Sequence, residues 1–115
     1  MLLTYKRSDG SEARIRLKTI SHAAPITIGR DKSASIVLDD AECSRIHMAI
    51  RYWDDIFVLR DMNSSNGTFL NGKKIEVAQL NPGDVIKIGN TELTVSAEQA
   101  SSDVTARLQD SDEAK

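Results

Sequence analysis

Hydrophobic and polar residues alternate with a period of two in short segments along most of the chain. This period places every second side chain on the same face, which is typical of β-strands with one buried face. Between the segments lie residue pairs that favour tight turns, such as Asp9-Gly10, Asn71-Gly72 and Gly89-Asn90. Ten segments show this pattern: 2–6, 13–20, 25–29, 35–38, 47–53, 56–60, 68–70, 74–77, 85–89 and 91–96.

Ten or eleven short strands joined by tight turns predict an all-β protein, either an antiparallel β-sandwich or a barrel. No segment before residue 97 has the period of an amphipathic helix. Residues 98–115 are rich in Ser, Asp, Glu and Ala, and they carry five carboxylates against two cations. We therefore predict one folded domain over residues 1–97 and an acidic, Ser-rich, disordered tail over residues 98–115.

Size and composition narrow the class of protein. A chain of 115 residues has room for one domain with a hydrophobic core. The net charge is −2 and the acidic tail accounts for it, so the body lacks the basic stripe of a nucleic-acid-binding protein. The charge therefore predicts no nucleic-acid partner. No apolar run approaches the ~20 residues of a membrane span, so we expect no membrane partner either.

The single cysteine, Cys43, excludes an internal disulfide, and with the two histidines it matches no metal-site spacing. We expect a cytoplasmic protein with no metal and no other cofactor.

The segment DMNSSNGTFLNG, residues 61–72, contains more small polar residues and glycines than a simple connection needs. Residues 63–65 and 66–68 are formal N-glycosylation acceptors, which would require secretion. The two Asn-Gly pairs favour hairpin turns with positive φ. A third interpretation makes the segment one wall of a binding site, since functional residues concentrate on loops that a rigid scaffold holds.

Four short motifs occur in a compatible order: GR (29–30), SRIH (44–47), NSSNGT (63–68) and LNG (70–72). Together they resemble the forkhead-associated (FHA) domain, a phosphothreonine-binding β-sandwich. The segment LNPGDVIKIG (80–89) is similar to the strand-turn-strand that ends this domain. The resemblance covers about residues 3–96. It implies an FHA-like sandwich, and it favours the binding-site interpretation of residues 61–72.

The resemblance also implies roles for individual residues. Arg30 and Ser44 would contact the phosphate, with Ser65 assisting, and Asn66 would bond the main chain of an extended peptide. Arg45 lies at a variable position and would add a second cation or contact the peptide further along. The resemblance assigns a scaffold role to Gly29, His47, Ser64, Gly67 and Thr68.

Each of these assignments has a simpler alternative. Arg30 and Arg45 could be solvated loop arginines, and Asn66-Gly67 could serve as a hairpin turn alone. Ser44 and His47 could belong to a nucleophilic site, although the Gly-x-Ser-x-Gly turn of hydrolases is missing from the sequence. A scaffold that binds its partner without phosphate is a further alternative on the same fold.

The resemblance predicts a non-enzymatic, phosphothreonine-dependent peptide- and protein-binding module. Such a module would act as a signalling adaptor downstream of a Ser/Thr kinase. The family also reads the third residue after the phosphothreonine, for which Arg45, Met62 and Lys73 are candidates. The tail contains Thr105 with Leu108 three residues later. Self-binding of a phosphorylated Thr105 is therefore an alternative to an inert, solubilising tail.

Overall fold

Eleven strands form in the described part of the chain, in agreement with the ten or eleven that alternation predicts. The computed structural model describes residues 1–19 and 24–97, and these contain no helix. The strands are β1 (Leu2–Lys6), β2 (Glu12–Arg16), β3 (Ile26–Gly29), β4 (Ile36–Val37), β5 (Met48–Trp53), β6 (Ile56–Asp61), β7 (Thr68–Leu70), β8 (Lys73–Ile75), β9 (Val77–Leu80), β10 (Val85–Ile88) and β11 (Thr91–Ser96).

The strands pair into two sheets. One sheet has six strands in the order β2-β1-β11-β10-β7-β8, and the other has five in the order β4-β3-β5-β6-β9. Neighbouring strands run antiparallel, except for a short parallel pairing of β3 with the edge strand β4. The predicted antiparallel β-sandwich is confirmed, with this one parallel pair as a local exception.

The alternation in the sequence becomes two apolar layers that face each other. Leu3, Ile86 and Leu93 of the six-stranded sheet are fully buried, and so are Ile28 and Leu59 of the five-stranded sheet. Burying a side chain of this size contributes about 1.5–3 kcal/mol. The packed sheets therefore give the loops at their ends a rigid support.

One predicted strand, residues 74–77, is wrong because the chain changes sheets within it. β8 ends at Ile75 in the six-stranded sheet, and β9 begins at Val77 in the five-stranded sheet. The prediction placed Ile75 and Val77 on one buried face, but Val77 is 50% exposed. A second predicted strand, residues 13–20, is too long, because β2 ends at Arg16.

Three loops meet at one end of the sandwich. The first loop is residues 30–35, between β3 and β4. The second loop is residues 38–47, between β4 and β5, and the third loop is residues 62–67, between β6 and β7. The β10–β11 turn, residues 89–90, contacts the second loop from the six-stranded sheet.

Two predictions concern residues beyond this part of the chain. The tail, residues 98–115, and Thr105 within it lie outside the described residues, so the predicted disorder and self-binding stay predictions. Within residues 1–19 and 24–97, no helix has the length and apolarity that crossing a membrane requires.

Candidate functional site

Gly29 and Arg30 lie where the first and second loops touch. A Cβ at Gly29 would lie 2.2 Å from the carbonyl oxygen of Arg45, which is too close for any side chain. The bare backbone lets the loops pair. The N–H of Arg30 donates to the carbonyl of Ser44 at 3.1 Å, and the N–H of Asp31 donates to that of Arg45 at 3.0 Å. Glycine is therefore required here for close backbone approach, which brings Arg30 beside Ser44.

The side chain of Arg30 is exposed and is anchored at one edge of its guanidinium. Its Nε–H donates to the carbonyl oxygen of Cys43 at 2.9 Å. A guanidinium has five N–H donors, so this contact uses one donor and orients the planar group that carries the others. A fixed and always charged set of donors suits an anion with several oxygens, such as phosphate.

Ser44 and Ser65 join the second loop to the third. The hydroxyl oxygen of Ser44 accepts a hydrogen bond from the N–H of Ser65 at 2.9 Å. A hydroxyl that accepts in this way keeps its own hydrogen, so Ser44 can still donate to a ligand. Ser44 is partly buried and Ser65 is exposed. Hydrogen bonds thus link Arg30, Ser44 and Ser65 across three different loops.

His47 is fully buried and also holds the second loop to the third. Its Nδ1 accepts from the N–H of Ser44 at 3.0 Å, and its Nε2 lies 2.8 Å from the carbonyl oxygen of Gly67. A backbone N–H can only donate and a carbonyl can only accept. The ring is therefore the neutral tautomer that carries its proton on Nε2.

These contacts leave no nucleophilic pair between Ser44 and His47. In such a pair, a ring nitrogen accepts the proton of the hydroxyl. Here Nδ1 accepts from the backbone N–H of Ser44, and the hydroxyl of Ser44 accepts from Ser65. The hydrolase alternative therefore has no geometric basis at these residues.

Asp61, the last residue of β6, organises the third loop. Its carboxylate accepts from the N–H of Ser64 at 3.1 Å, from the hydroxyl of Ser64 at 2.5 Å and from the hydroxyl of Thr68 at 2.6 Å. The hydroxyl of Ser64 accepts in turn from the N–H of Gly67 at 3.0 Å. Burial acts to raise the pKa of Asp61, but the hydrogen bonds from Ser64 and Thr68 outweigh it and lower the pKa below its ordinary value.

Asn66 does not form the hairpin turn that its pairing with Gly67 favours. Gly67 has a positive φ of 90° but Asn66 does not, whereas a type I′ turn requires positive φ at both residues. The side-chain amide of Asn66 instead donates to the carbonyl of Glu42 at 2.8 Å, from the third loop to the second. Asn71 and Gly72, with φ of 52° and 84°, do form the predicted two-residue hairpin between β7 and β8.

The three candidates for contacts further along a peptide lie in different places. Arg45 is exposed in the second loop, and its Nε lies 3.7 Å from a carboxylate oxygen of Asp31. Met62 is 42% exposed in the third loop. Lys73 is exposed on β8, after the β7–β8 hairpin turn. Arg45 and Met62 therefore belong to the loops of the site, and Lys73 does not.

Cys43 is buried under the second loop, where its Sγ lies 3.6 Å from the carbonyl oxygen of Ile88. Burial, with the carboxylate of Asp40 acting in the same direction, raises the pKa of Cys43 to about 12. The thiol is therefore protonated at neutral pH and unreactive. Across residues 1–19 and 24–97, no three His, Cys, Asp or Glu side chains are grouped to hold a metal ion.

A cleft of about 600 Å³ adjoins the site beside Glu42 and Asn66. Its walls include Phe69, Lys87 and Glu92. These three side chains are neighbours on β7, β10 and β11, because the strand register pairs Lys87 with both of the others. The cleft extends the site along the six-stranded sheet.

Two carboxylates, of Asp40 and Asp61, and the two backbone carbonyls that hold Asn66 and Arg30 were not predicted from the sequence. For Asp61 a signal existed, because an Asp side chain often accepts hydrogen bonds from the backbone N–H groups of a neighbouring turn. Asp40 sits in an acidic run, Asp39 to Glu42, that suggests a solvated surface, yet its side chain is buried.

Comparison with known proteins identifies similar domains. The FHA domain family matches residues 26–89, more than half of the chain. FhaA of Mycobacterium tuberculosis, an FHA domain-containing protein, is 37% identical over 93 residues, which are 81% of this chain and 17% of FhaA. The crystal structure of the FhaA FHA domain complexed with the intracellular domain of Rv3910 is 35% identical, with a TM-score of 0.69 over 80% of this chain and 97% of that chain. A structure from work on phosphothreonine-dependent FHA domain interactions is 32% identical, with a TM-score of 0.68 over 86% of this chain and 99% of that chain.

Proposed function

Because the chain belongs to the FHA domain family, we propose that it is a phosphothreonine-dependent peptide- and protein-binding module. FHA domains are non-catalytic binding modules. In this proposal, the domain acts as an adaptor downstream of a Ser/Thr kinase. The partner is a protein or peptide that carries phosphothreonine. The interaction takes place in the cytoplasm, where protein kinases have access to ATP.

The observation that carries this proposal is the meeting of Arg30, Ser44 and Ser65 from three loops. Arg30 supplies the charge, and the hydroxyls of Ser44 and Ser65 supply neutral donors to the phosphoryl oxygens. Each charge-assisted hydrogen bond is worth about 1.5–3 kcal/mol. An unmodified threonine peptide forms none of them, so its affinity falls by orders of magnitude.

Asn66 is the second recognition element in the proposal. One N–H of its amide is held by the Glu42 carbonyl. An amide has a second N–H and an acceptor oxygen, which suit the carbonyl and N–H of an extended peptide backbone. Contacts of this kind are independent of the peptide's side chains, so they fix the peptide's path and leave sequence preference to Arg45, Met62 and the adjoining cleft.

Threonine selectivity in this proposal comes from the extra methyl group. Fitting one methyl into an apolar recess is worth about 1–3 kcal/mol, which corresponds to roughly 10–200-fold between phosphothreonine and phosphoserine. A scaffold that ignores phosphate is the remaining alternative. It gives no account of why Arg30, Ser44 and Ser65, three residues with donor side chains, are linked across loops at one end of the sandwich.

Fluorescence anisotropy with a degenerate peptide library fixed at phosphothreonine tests the proposed function. Libraries with phosphoserine and with unmodified threonine serve as ligand controls. We expect binding that requires phosphothreonine and is lost in Arg30→Ala. Arg51→Ala is the matched protein control, because Arg51 is exposed on β5, away from the three loops. Binding that is indifferent to phosphate and to Arg30 would favour the scaffold alternative.

A further inference from the structure

Asp40 is a buried carboxylate that the proposed phosphopeptide contacts do not use. Only 8% of its surface is exposed. One carboxylate oxygen accepts from the N–H of Glu42 at 3.0 Å. The other accepts from the N–H of Asn90 at 2.8 Å and from the hydroxyl of Thr91 at 2.7 Å. Because Asn90 and Thr91 lie where β10 turns into β11, this carboxylate joins the six-stranded sheet to the second loop.

The turn that begins at Asp40 presents two carbonyl groups to the site. The N–H of Cys43 donates to the carbonyl of Asp40 at 3.0 Å and closes the turn. From this turn, the carbonyl of Glu42 accepts from Asn66 at 2.8 Å, and the carbonyl of Cys43 accepts from Arg30 at 2.9 Å. One tight turn therefore orients both the side chain expected at the phosphate and the one expected at the peptide backbone.

We propose that Asp40 is a positioning residue, which holds the carbonyls of Glu42 and Cys43 where they orient Asn66 and Arg30. The proposal rests on the proposed function for the nature of the ligand. The orientation of the two side chains, however, is a property of the free protein and can be measured without any peptide.

Replacing Asp40 by Asn changes both the charge near the site and the positioning of the turn, and these two changes have opposite effects on phosphopeptide affinity. Burial acts to raise the pKa of Asp40, but hydrogen bonds from Thr91, Asn90 and Glu42 outweigh it and lower the pKa. The group is therefore an anion at neutral pH, and Asp40→Asn removes a full negative charge. A carboxylate near a phosphate repels it, so charge removal alone would strengthen binding. A loss of positioning would weaken binding instead.

The first test compares the affinity of Asp40→Asn and Asp39→Asn for a phosphothreonine peptide. An Asn amide must turn its NH₂ toward a backbone donor on one side, so it cannot satisfy both Glu42 and Asn90. We expect Asp40→Asn to bind about tenfold more weakly, as for the loss of one charge-assisted hydrogen bond. Asp39 is exposed and accepts from the hydroxyl of Ser8, so Asp39→Asn changes the charge equally without touching the turn. We expect its affinity to stay the same or to rise slightly.

The second readout is the Nε–Hε signal of Arg30 in the ¹H–¹⁵N NMR spectrum of the free protein. The bond to the Cys43 carbonyl slows exchange of this proton with water. In Asp40→Asn we expect the signal to shift and the exchange to accelerate, whereas in Asp39→Asn both stay as in the wild type. An unchanged signal with unchanged or tighter binding in Asp40→Asn would overturn the proposal.

Thr91→Val covers the case in which Asp40→Asn does not fold. It keeps the charge of Asp40 and the shape of residue 91, and it removes one donor to the carboxylate. We expect about threefold weaker peptide binding and a smaller change of the Arg30 signal in the same direction. If the wild type binds no phosphothreonine peptide, the proposed function fails, and the Arg30 signals of the variants still decide whether Asp40 positions this side chain.

Discussion

His47 is the residue on which the contact between the second and third loops most depends. It is fully buried and bridges the N–H of Ser44 and the carbonyl of Gly67. His47→Ala leaves both backbone groups without this partner, at about 1–3 kcal/mol for each buried group. We expect the free energy of unfolding to fall by about 2–6 kcal/mol, measured by urea denaturation. We expect phosphopeptide affinity to fall as well, because Ser44 and the third loop lose their connection.

Arg51→Ala is the control for this measurement, since substitution of an exposed residue usually changes stability by less than about 0.5 kcal/mol. A His47→Ala protein as stable as the wild type would mean that water replaces both backbone contacts. The scaffold role assigned to His47 would then be wrong.

Motifs could name candidates for the residues whose side chains would contact a phosphopeptide. Arg30, Ser44 and Asn66 are of this kind, because charge, hydroxyl and amide are properties of residue type. The structure adds the carbonyls of Glu42 and Cys43, which hold Asn66 and Arg30. Every residue has a carbonyl, so no residue type reveals which backbone groups will be used.

At the level of elements, alternation predicted that strands exist but not which sheet they join. Residues 74–77 were predicted as one strand, yet Ile75 ends β8 in one sheet and Val77 begins β9 in the other. The carbonyl of Glu76, between them, accepts from the N–H of Asp61 at 2.8 Å. The point at which the chain passes from one sheet to the other is therefore set by pairing between residues distant in sequence. Hydrophobic periodicity cannot predict it, because periodicity reports only local burial.

The third loop is predicted to make stability depend on pH through Asp61. An Asp has a pKa of about 3.9 in an unfolded chain, and the hydrogen bonds from Ser64 and Thr68 lower it in the folded state. The folded state therefore binds fewer protons than the unfolded state near this pH. The stability that Asp61 contributes is present in full above the unfolded-state pKa and is lost as the pH falls through the folded-state pKa.

We expect the urea midpoint to be flat from about pH 7 to 5 and to fall below about pH 4. Asp61→Asn should be less stable at neutral pH and should lose less stability in acid. Because the pKa values of Asp9, Asp31 and Asp40 are also lowered, the variant should keep part of the acid dependence. An acid dependence identical to that of the wild type would show that Asp61 is not a source of it.

For the whole molecule, the sandwich separates the site from the start of the tail. β11 begins at Thr91, next to the turn that contacts Asp40, and runs to Ser96 at the opposite end. A strand of this length spans about 20 Å. The hydrophobic core and the three loops lie in the described residues. We therefore expect a chain that ends at Ala97 to keep the stability and the phosphopeptide affinity of the full chain. A lower affinity of this shorter chain would assign the tail a part in binding.

Phosphorylation of Thr105 separates the two interpretations of the tail. The residues from Ala97 to Thr105 extend at most about 28 Å, enough for a phosphothreonine at this position to reach the site from the far end of β11. A tethered ligand has an effective concentration in the millimolar range. Self-binding therefore predicts that the phosphorylated 115-residue chain binds an external phosphopeptide several-fold more weakly, and that Thr105→Ala treated with the same kinase does not. If the affinity is the same before and after phosphorylation, the tail is inert toward the site, and the site serves external partners alone.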